Sequence, residues 1–274
     1  MRVALLSTYD ERGGAARAAL RLHRALPATG VESRMIVQRR FGHAPDVEGP
    51  RGGLAGGLAG IAAEWRPRLE SLPVRRYPRR GPELFSPAFL PNDVARRIAR
   101  VAPDVLHLHW TGFGFVHPET LPRLGRPIVW TLHDSWPFTG GCHLPGTCDR
   151  YRGSCGACPA LGSTDEHDLS RRLFERKRRA WQGLPLRIVA PSRWIADAAR
   201  SSALFRDQTI DVIPNGIDLT RFHPSDRAAA RARLGIDQDV RVILFSALEG
   251  VADRNKGFDL LWGALRSPAF QASK

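Results

Sequence analysis

With 274 residues, 43% of them hydrophobic, the chain can hold one large domain, or one domain and part of a second, around a real core. No apolar run approaches the roughly 18–20 residues of a membrane span, and the start MRVALLSTYDERGG lacks the charged-then-apolar order of a secretory signal, so a cytoplasmic protein is expected. The net charge of +14 draws polyanions, but only three of the 41 basic residues are lysines, a skew that codon bias can produce; an anionic membrane surface and plain solvent are therefore read ahead of nucleic acid.

Val3–Ser7 reads as a short apolar strand, broken by Gly13-Gly14, after which Ala15–Leu26 forms an alanine-rich helix closed by Pro27 and Gly30. Glu32–Val37 supplies a second strand, and the unit predicts a parallel sheet of the doubly wound α/β kind. Residues 42–82 lose this rhythm. Crowded with Gly and Pro, they hold an apolar tract, Gly52–Ala63, and a basic one, Arg75–Arg80, and read as a mobile loop or small helix. The Gly53/Gly57 and Gly56/Gly60 spacings mimic a membrane dimer motif in a tract too short to span.

Order returns with a helix over Asp93–Val101 and strands over Asp104–His109 and Pro127–Leu132. Both strands end in polar residues. Ligands of open α/β sheets bind beyond the carboxyl ends of the strands, so His107, His109, His133 and Asp134 fall on the expected functional edge. Asp165–Trp181 is an amphipathic helix, with Leu169, Leu173 and Trp181 set among arginines and Lys177, open to a membrane surface or to solvent. Leu186–Ala190 is a further strand, Ser192 is placed to cap a helix over Arg193–Ser201, and a strand at Ile210–Ile213 leads into the turn Pro214-Asn215-Gly216. Then come a helix over Asp226–Leu234, a strand over Val240–Phe245, and a helix from about Lys256-Gly257. Residues 1–214 are thus read as one domain, 215–225 as a linker and 226–274 as the start of a second. About fifty residues with one strand cannot bury both faces of a sheet, so that part is expected to be incomplete.

Four groups carry candidate chemistry. Gly13-Gly14, between a strand and a helix, lets backbone amides approach a phosphate or sugar, although plain turn chemistry explains a double glycine equally well. His133, followed by Asp134 at the sheet edge, is placed to hydrogen-bond a sugar hydroxyl or steady a positive centre as a bond breaks; the alternative is a satisfied structural histidine. Cys142, Cys148, Cys155 and Cys158 form C-x5-C-x6-C-x2-C, with no cysteine elsewhere. Four thiolates in short loops can wrap a tetrahedral zinc, which is read as structural because no position is left for water; reduced or redox-active thiols and disulfides stay open as alternatives. Lys256-Gly257, with Arg254 nearby, suits an anionic ligand at a helix start, or is ordinary surface charge.

Taken together, Gly13-Gly14-Ala15, His107-Leu108-His109-Trp110, VWTLHDSWPFTGGC (Val129–Cys142), APSRW (Ala190–Trp194), VIPNGIDLTRFHP (Val212–Pro224) and KGFDLLWGAL (Lys256–Leu265) resemble the family 4 glycosyltransferases of the GT-B fold, and among them the colanic-acid type of polysaccharide biosynthesis enzyme. The resemblance runs nearly end to end. It implies two Rossmann-like domains facing a cleft, an acceptor on the first, a nucleotide-diphosphate sugar on the second, and transfer to a glycan or lipid-linked acceptor with retained configuration and no catalytic metal. By that resemblance His133, with Asp134, contacts the transferred sugar, and Gly13 and Gly14 border the diphosphate or acceptor. Asn215 lies at the interdomain hinge, and Arg254 and Lys256 neutralise the departing diphosphate. The chain departs from the pattern after Glu249: the family's pair of glutamates seven residues apart does not follow Lys256. A chain cut early in its donor domain, inactive by itself, is therefore expected, in a protein of the cytoplasm or of the inner membrane face. The rival expectation is a non-catalytic zinc-containing module that binds a polyanion or a partner protein.

Overall fold

Near-continuous apolar runs such as Val-Ala-Leu-Leu at 3–6 can be buried only if both faces of their sheet are covered, and helices on both faces do this. The structure, a computed structural model, describes residues 1–247, 251 and 253–271. Its two compact units are Met1–Ile217 and Asp218–Lys274.

In the first unit seven strands form one sheet: β1 (Arg2–Tyr9), β2 (Glu32–Arg39), β3 (Val47–Glu48), β4 (Val105–Leu108), β5 (Ile128–Thr131), β6 (Leu186–Ala190) and β7 (Thr209–Val212). The order is β3-β2-β1-β4-β5-β6-β7. Every pairing is parallel. This is the doubly wound α/β sheet expected from the first β-α-β unit. The strand order reverses direction between β1 and β4, which opens a crevice at their carboxyl ends.

Alternation along the strands divides the core in two. Val3, Leu5, Met35 and Val37 pack with Ala19 and Leu20 of helix α1 (Gly14–Ala25). Ala4, Leu6, Leu106, Leu108, Trp130 and Ile188 face the other way, toward helices α3 (Val94–Val101), α4 (Leu169–Trp181) and α5 (Arg193–Ser201). Ser192 caps α5 through its hydroxyl, as expected. Asp168 caps α4, accepting from the N–H groups of Ser170 and Arg171, so that helix starts later than the expected Asp165.

One expectation for the first unit needs correction, and one open reading is decided. Within residues 42–82, read as a mobile loop or small helix, the chain forms β3 and a fourteen-residue helix, α2 (Gly57–Glu70). Its apolar outer side and small inner residues hide the usual pattern of a core-facing helix. The apolar stripe of α4 does not face a surface. Leu173, Phe174 and Trp181 are buried, because the helix lies across the sheet and fills the core beside Trp130 and Phe205.

The second unit contains α6 (Arg227–Leu234), a 3-10 turn (Arg254–Lys256), α7 (Phe258–Leu265) and α8 (Pro268–Gln271). The expected strand over Val240–Phe245 is absent; that segment is irregular. A strand needs a neighbour for its N–H and C=O groups, and none is found beside it among the described residues. Glu249 lies outside the described residues.

Candidate functional site

The carboxyl ends of β1, β4 and β5 bring the first group of candidates together. In β4 side chains alternate faces, so His107 and His109 lie on one side while Leu106 and Leu108 enter the core. Their rings stack, with centroids 4.5 Å apart. His133 continues the column from the end of β5, 5.2 Å from the His109 ring. His107 Nε2 meets Thr131 Oγ1 at 2.8 Å, and His109 Nδ1 meets His133 Nε2 at 2.9 Å, one ring donating and the other accepting. Burial, and then the neighbouring His133, drives His107 down to about 4. Burial, and then His107 and His133, hold His109 well below the ordinary imidazole range. Burial drives His133 down to about 4 against the opposing pull of Asp134. At neutral pH the column is therefore uncharged, and His133, its outermost and partly exposed member, presents a neutral imidazole at the edge.

Asp134 is placed differently. Its Oδ2 accepts from the Trp110 indole N–H and meets His143 Nδ1 at 2.5 Å; its Oδ1 accepts from the Trp136 backbone N–H at 2.9 Å. Burial pushes the carboxyl up, but His143 beside it and the hydrogen bonds from His143, Trp136 and Trp110 outweigh this and hold it below the usual carboxylate range. His143 Nε2 in turn meets Ser86 Oγ at 2.8 Å, and the Ser86 carbonyl accepts from the Trp136 indole at the same distance. Beneath this loop lies the fully buried Lys177. Its ammonium donates to the carbonyls of Trp136 and Thr139 and sits 3.7 Å from the Trp136 ring centroid. Burial pulls Lys177 down to about 7, opposed by Cys155, Cys142 and Asp134.

Gly13 and Gly14 open α1 at the end of β1. Gly13 has φ of +93°, a conformation natural to glycine, and no side chain caps the helix start. A Cβ at either glycine would meet nothing within 4 Å, so the helix start faces open space. Asp10, buried and unremarked in the sequence, fixes the neighbouring wall: its carboxylate accepts from the N–H groups of Glu11, Phe41 and Gly42, tying the β2 exit to the β1 exit. His109 Nε2, Ser7 Oγ and Thr111 Oγ1 are buried without a protein partner among the described residues. A separate cavity of about 720 Å³, lined by Gln38, Ala63, Arg66 and Arg97 among others, shares no residue with the histidine column.

The remaining candidates lie in other parts of the chain. Asn215 is exposed in the irregular segment after β7, within the first unit. Arg254 and the exposed Lys256 belong to the second unit, just before Gly257, which caps α7 with φ of +69°. Cys142, Cys148, Cys155 and Cys158 are free thiols lining one small cavity of about 10 Å³. Burial pushes Cys142 and Cys155 up to about 12 and raises Cys158 as well. The Gly140 N–H donates to Cys155 Sγ at 3.2 Å. Among the described residues no three His, Cys, Asp or Glu side chains are drawn closely enough to hold a metal as they stand.

Trp110, Ser86, His143, Asp10 and Lys177 were not singled out from the sequence. Trp110 stood in the His-Leu-His-Trp run, whereas the others carry no local signal, because their partners are distant along the chain. The glycines after Thr139 serve packing: at Gly141 a Cβ would lie 2.5 Å from the Phe85 ring.

WcaC of Escherichia coli (strain K12), whose name assigns it to colanic acid biosynthesis as a glycosyl transferase, is 30% identical over 143 residues, covering 47% of this chain and 35% of WcaC. D-inositol 3-phosphate glycosyltransferase 1 of Catenulispora acidiphila is 37% identical over 167 residues, 59% of this chain and 33% of that protein. The chain thus spans about a third of the length of these relatives. Among solved structures, Anabaena Alr3699/HepE in complex with UDP and glucose superposes with a TM-score of 0.41 and 17% identity, over 86% of this chain and 50% of that one. The family model described as Glycosyltransferase Family 4 matches residues 12–221, from the glycine turn through the histidine column to the end of the sheet, and the chain belongs to that family.

Proposed function

We propose that the protein is a retaining glycosyltransferase, moving a sugar from a nucleotide-diphosphate donor to a glycan or lipid-linked acceptor in surface-polysaccharide assembly. The observation that carries the reading is the neutral His133 at the carboxyl edge of the sheet, hydrogen-bonded to the buried His109. A neutral imidazole can accept a hydrogen bond from a sugar hydroxyl without repelling the positive charge that develops at the anomeric carbon. Asp134, its carboxylate already engaged by three donors, is assigned to positioning the loop that carries His133. Gly13 and Gly14 are assigned to the diphosphate or acceptor, with unopposed amides at the helix start. Asn215, Arg254 and Lys256 keep the roles implied by the family resemblance, beside the donor and its leaving diphosphate. The test is transfer of radiolabelled sugar by the intact gene product: His133→Ala is expected to reduce it about a hundredfold or more with unchanged circular dichroism, and transfer at the wild-type rate removes His133 from the site.

We also propose a structural zinc on Cys142, Cys148, Cys155 and Cys158. Support comes from the donor set, from its gathering around one cavity without disulfides, and from the amide donated to Cys155. Bound metal would draw the thiols together and order the loop that follows the His133-Asp134 turn.

A further inference from the structure

Helix α2 is built inside out. A helix on the surface of a globular protein normally turns its large apolar residues inward and its charges outward. Here Gly60, Ala63 and Glu70 are buried and Arg66 is half-buried, while Leu58, Ile61, Trp65 and Leu69 are exposed at spacings of one helical stripe. Leu54 before the helix and Leu72 after it extend the exposed apolar set. Leu54 and Leu58 are 89% and 87% exposed, close to the limit for any side chain.

Both inward charges are engaged by backbone groups, while Arg66 Nε lacks a protein partner among the described residues, so the inversion is specified rather than accidental. The Glu70 carboxylate accepts from the N–H groups of Phe89 and Leu90, and the Arg66 guanidinium donates to the carbonyls of Leu90, Pro91 and Gly114. Small residues let the backbone approach closely: a Cβ at Gly60 would lie 2.2 Å from the Arg51 carbonyl oxygen. The outer side therefore calls for an apolar environment, since contiguous apolar surface of this kind marks a contact.

Charge identifies the contact. Arg68 lies over the Trp65 ring, 4.8 Å from its centroid, and Arg75, Arg76, Arg79 and Arg80 are exposed in the segment leaving the helix. Glu64, the exposed acid of this helix, is neutralised by Arg39 at 3.7 Å. Apolar side chains, a tryptophan and flanking arginines on a helix far too short to span fit the headgroup layer of a bilayer whose lipids are negative. We propose that α2 docks the protein on an anionic membrane surface, with Leu54, Leu58, Ile61 and Trp65 entering the headgroup boundary and the arginines held at phosphate level. Docking needs no substrate, so its failure is distinguishable from failure of the transfer reading.

The test is sedimentation of the intact protein with vesicles of equal parts phosphatidylglycerol and phosphatidylethanolamine, against phosphatidylcholine alone. Binding to the anionic vesicles that weakens with salt is expected, with little binding to phosphatidylcholine. The exposed pair Leu58→Gln/Trp65→Gln is expected to lower binding about tenfold or more, and each neutralised arginine among Arg75, Arg76, Arg79 and Arg80 roughly fivefold, all with unchanged circular dichroism. No binding by the wild type, or equal binding by the Leu58/Trp65 variant, overturns the proposal. So does a dimer in light scattering that the same variant converts to monomers without any vesicle binding, which would assign the stripe to a second copy of the chain.

Discussion

Asp134 offers the sharpest test of how this edge is built, because its neighbour His133 provides an internal comparison. Replacing Asp134 by Ala leaves the Trp136 N–H and the His143 ring without their acceptor and removes the nearer acceptor of the Trp110 indole, which also lies 3.3 Å from His143 Nδ1. Each buried donor left unpaired costs about 1–3 kcal/mol. Trp110 is partly exposed, so water recovers some of its loss, and the whole change is expected to cost about 2–4 kcal/mol from the buried donors left unpaired. With a urea slope of about 2–3 kcal/mol/M the unfolding midpoint falls by roughly 1–2 M. Asp134→Asn keeps one acceptor oxygen but turns an NH₂ toward a donor, and should lose about half as much. His133→Ala surrenders a single neutral hydrogen bond at a partly exposed site and should cost only about 0.5–1.5 kcal/mol. The pH dependence follows from the depressed folded-state value of Asp134: the stabilisation is complete above the unfolded carboxylate range, near pH 4, and is lost as pH falls through the lower folded value. Urea titrations of the three variants and the wild type at pH 7 check the ordering. An Asp134→Ala cost below about 1 kcal/mol, or one smaller than that of His133→Ala, would refute the assignment of Asp134 to positioning.

Other outcomes follow from neighbouring groups. Because His133 titrates near 4, transfer should be flat in pH from about 6 to 8 as far as this residue is concerned; a limb near its ordinary value that disappears in His133→Ala would contradict the buried, neutral column. Lys177→Met should destabilise by about 1–3 kcal/mol through the orphaned Trp136 and Thr139 carbonyls. The folded lysine loses its proton near 7 while the unfolded one keeps it to about 10.4, so wild-type stability relative to the variant should rise by about 1–2 kcal/mol between pH 7 and 9, and a flat difference in parallel denaturations would count against it. Protein purified under reducing conditions should carry about one equivalent of zinc, and a chelator should lower its melting temperature; metal far below one equivalent, with melting unchanged by chelator, would sink the zinc proposal.

Local pattern carried much of the first unit. The strands at Val3, Glu32, Asp104, Pro127 and Leu186 were legible because a strand buried on both faces needs a short apolar run whatever surrounds it. Gly13 and the Ser192 cap were legible because φ and capping are set by one or two residues. The strand expected over Val240–Phe245 failed for the converse reason: an apolar run becomes a strand only beside another strand, and composition cannot supply the neighbour.

The His133-Asp134 pair and the cysteine cluster were visible as residues but not as roles. His133 and Asp134 are adjacent in the chain, yet the structure stacks one on His109 at the open edge and locks the other to Trp110, Trp136 and His143. Basic amphipathic α4 read as a surface helix and glycine-rich α2 as a mobile loop or small helix; tertiary packing buried the apolar side of α4 and exposed that of α2. A sequence determines which positions are apolar and at what period, and so determines that elements form. Which side of an element meets the core, and which of two neighbouring polar groups keeps a free valence, depends on atoms brought in from distant positions, and only the folded chain decides it.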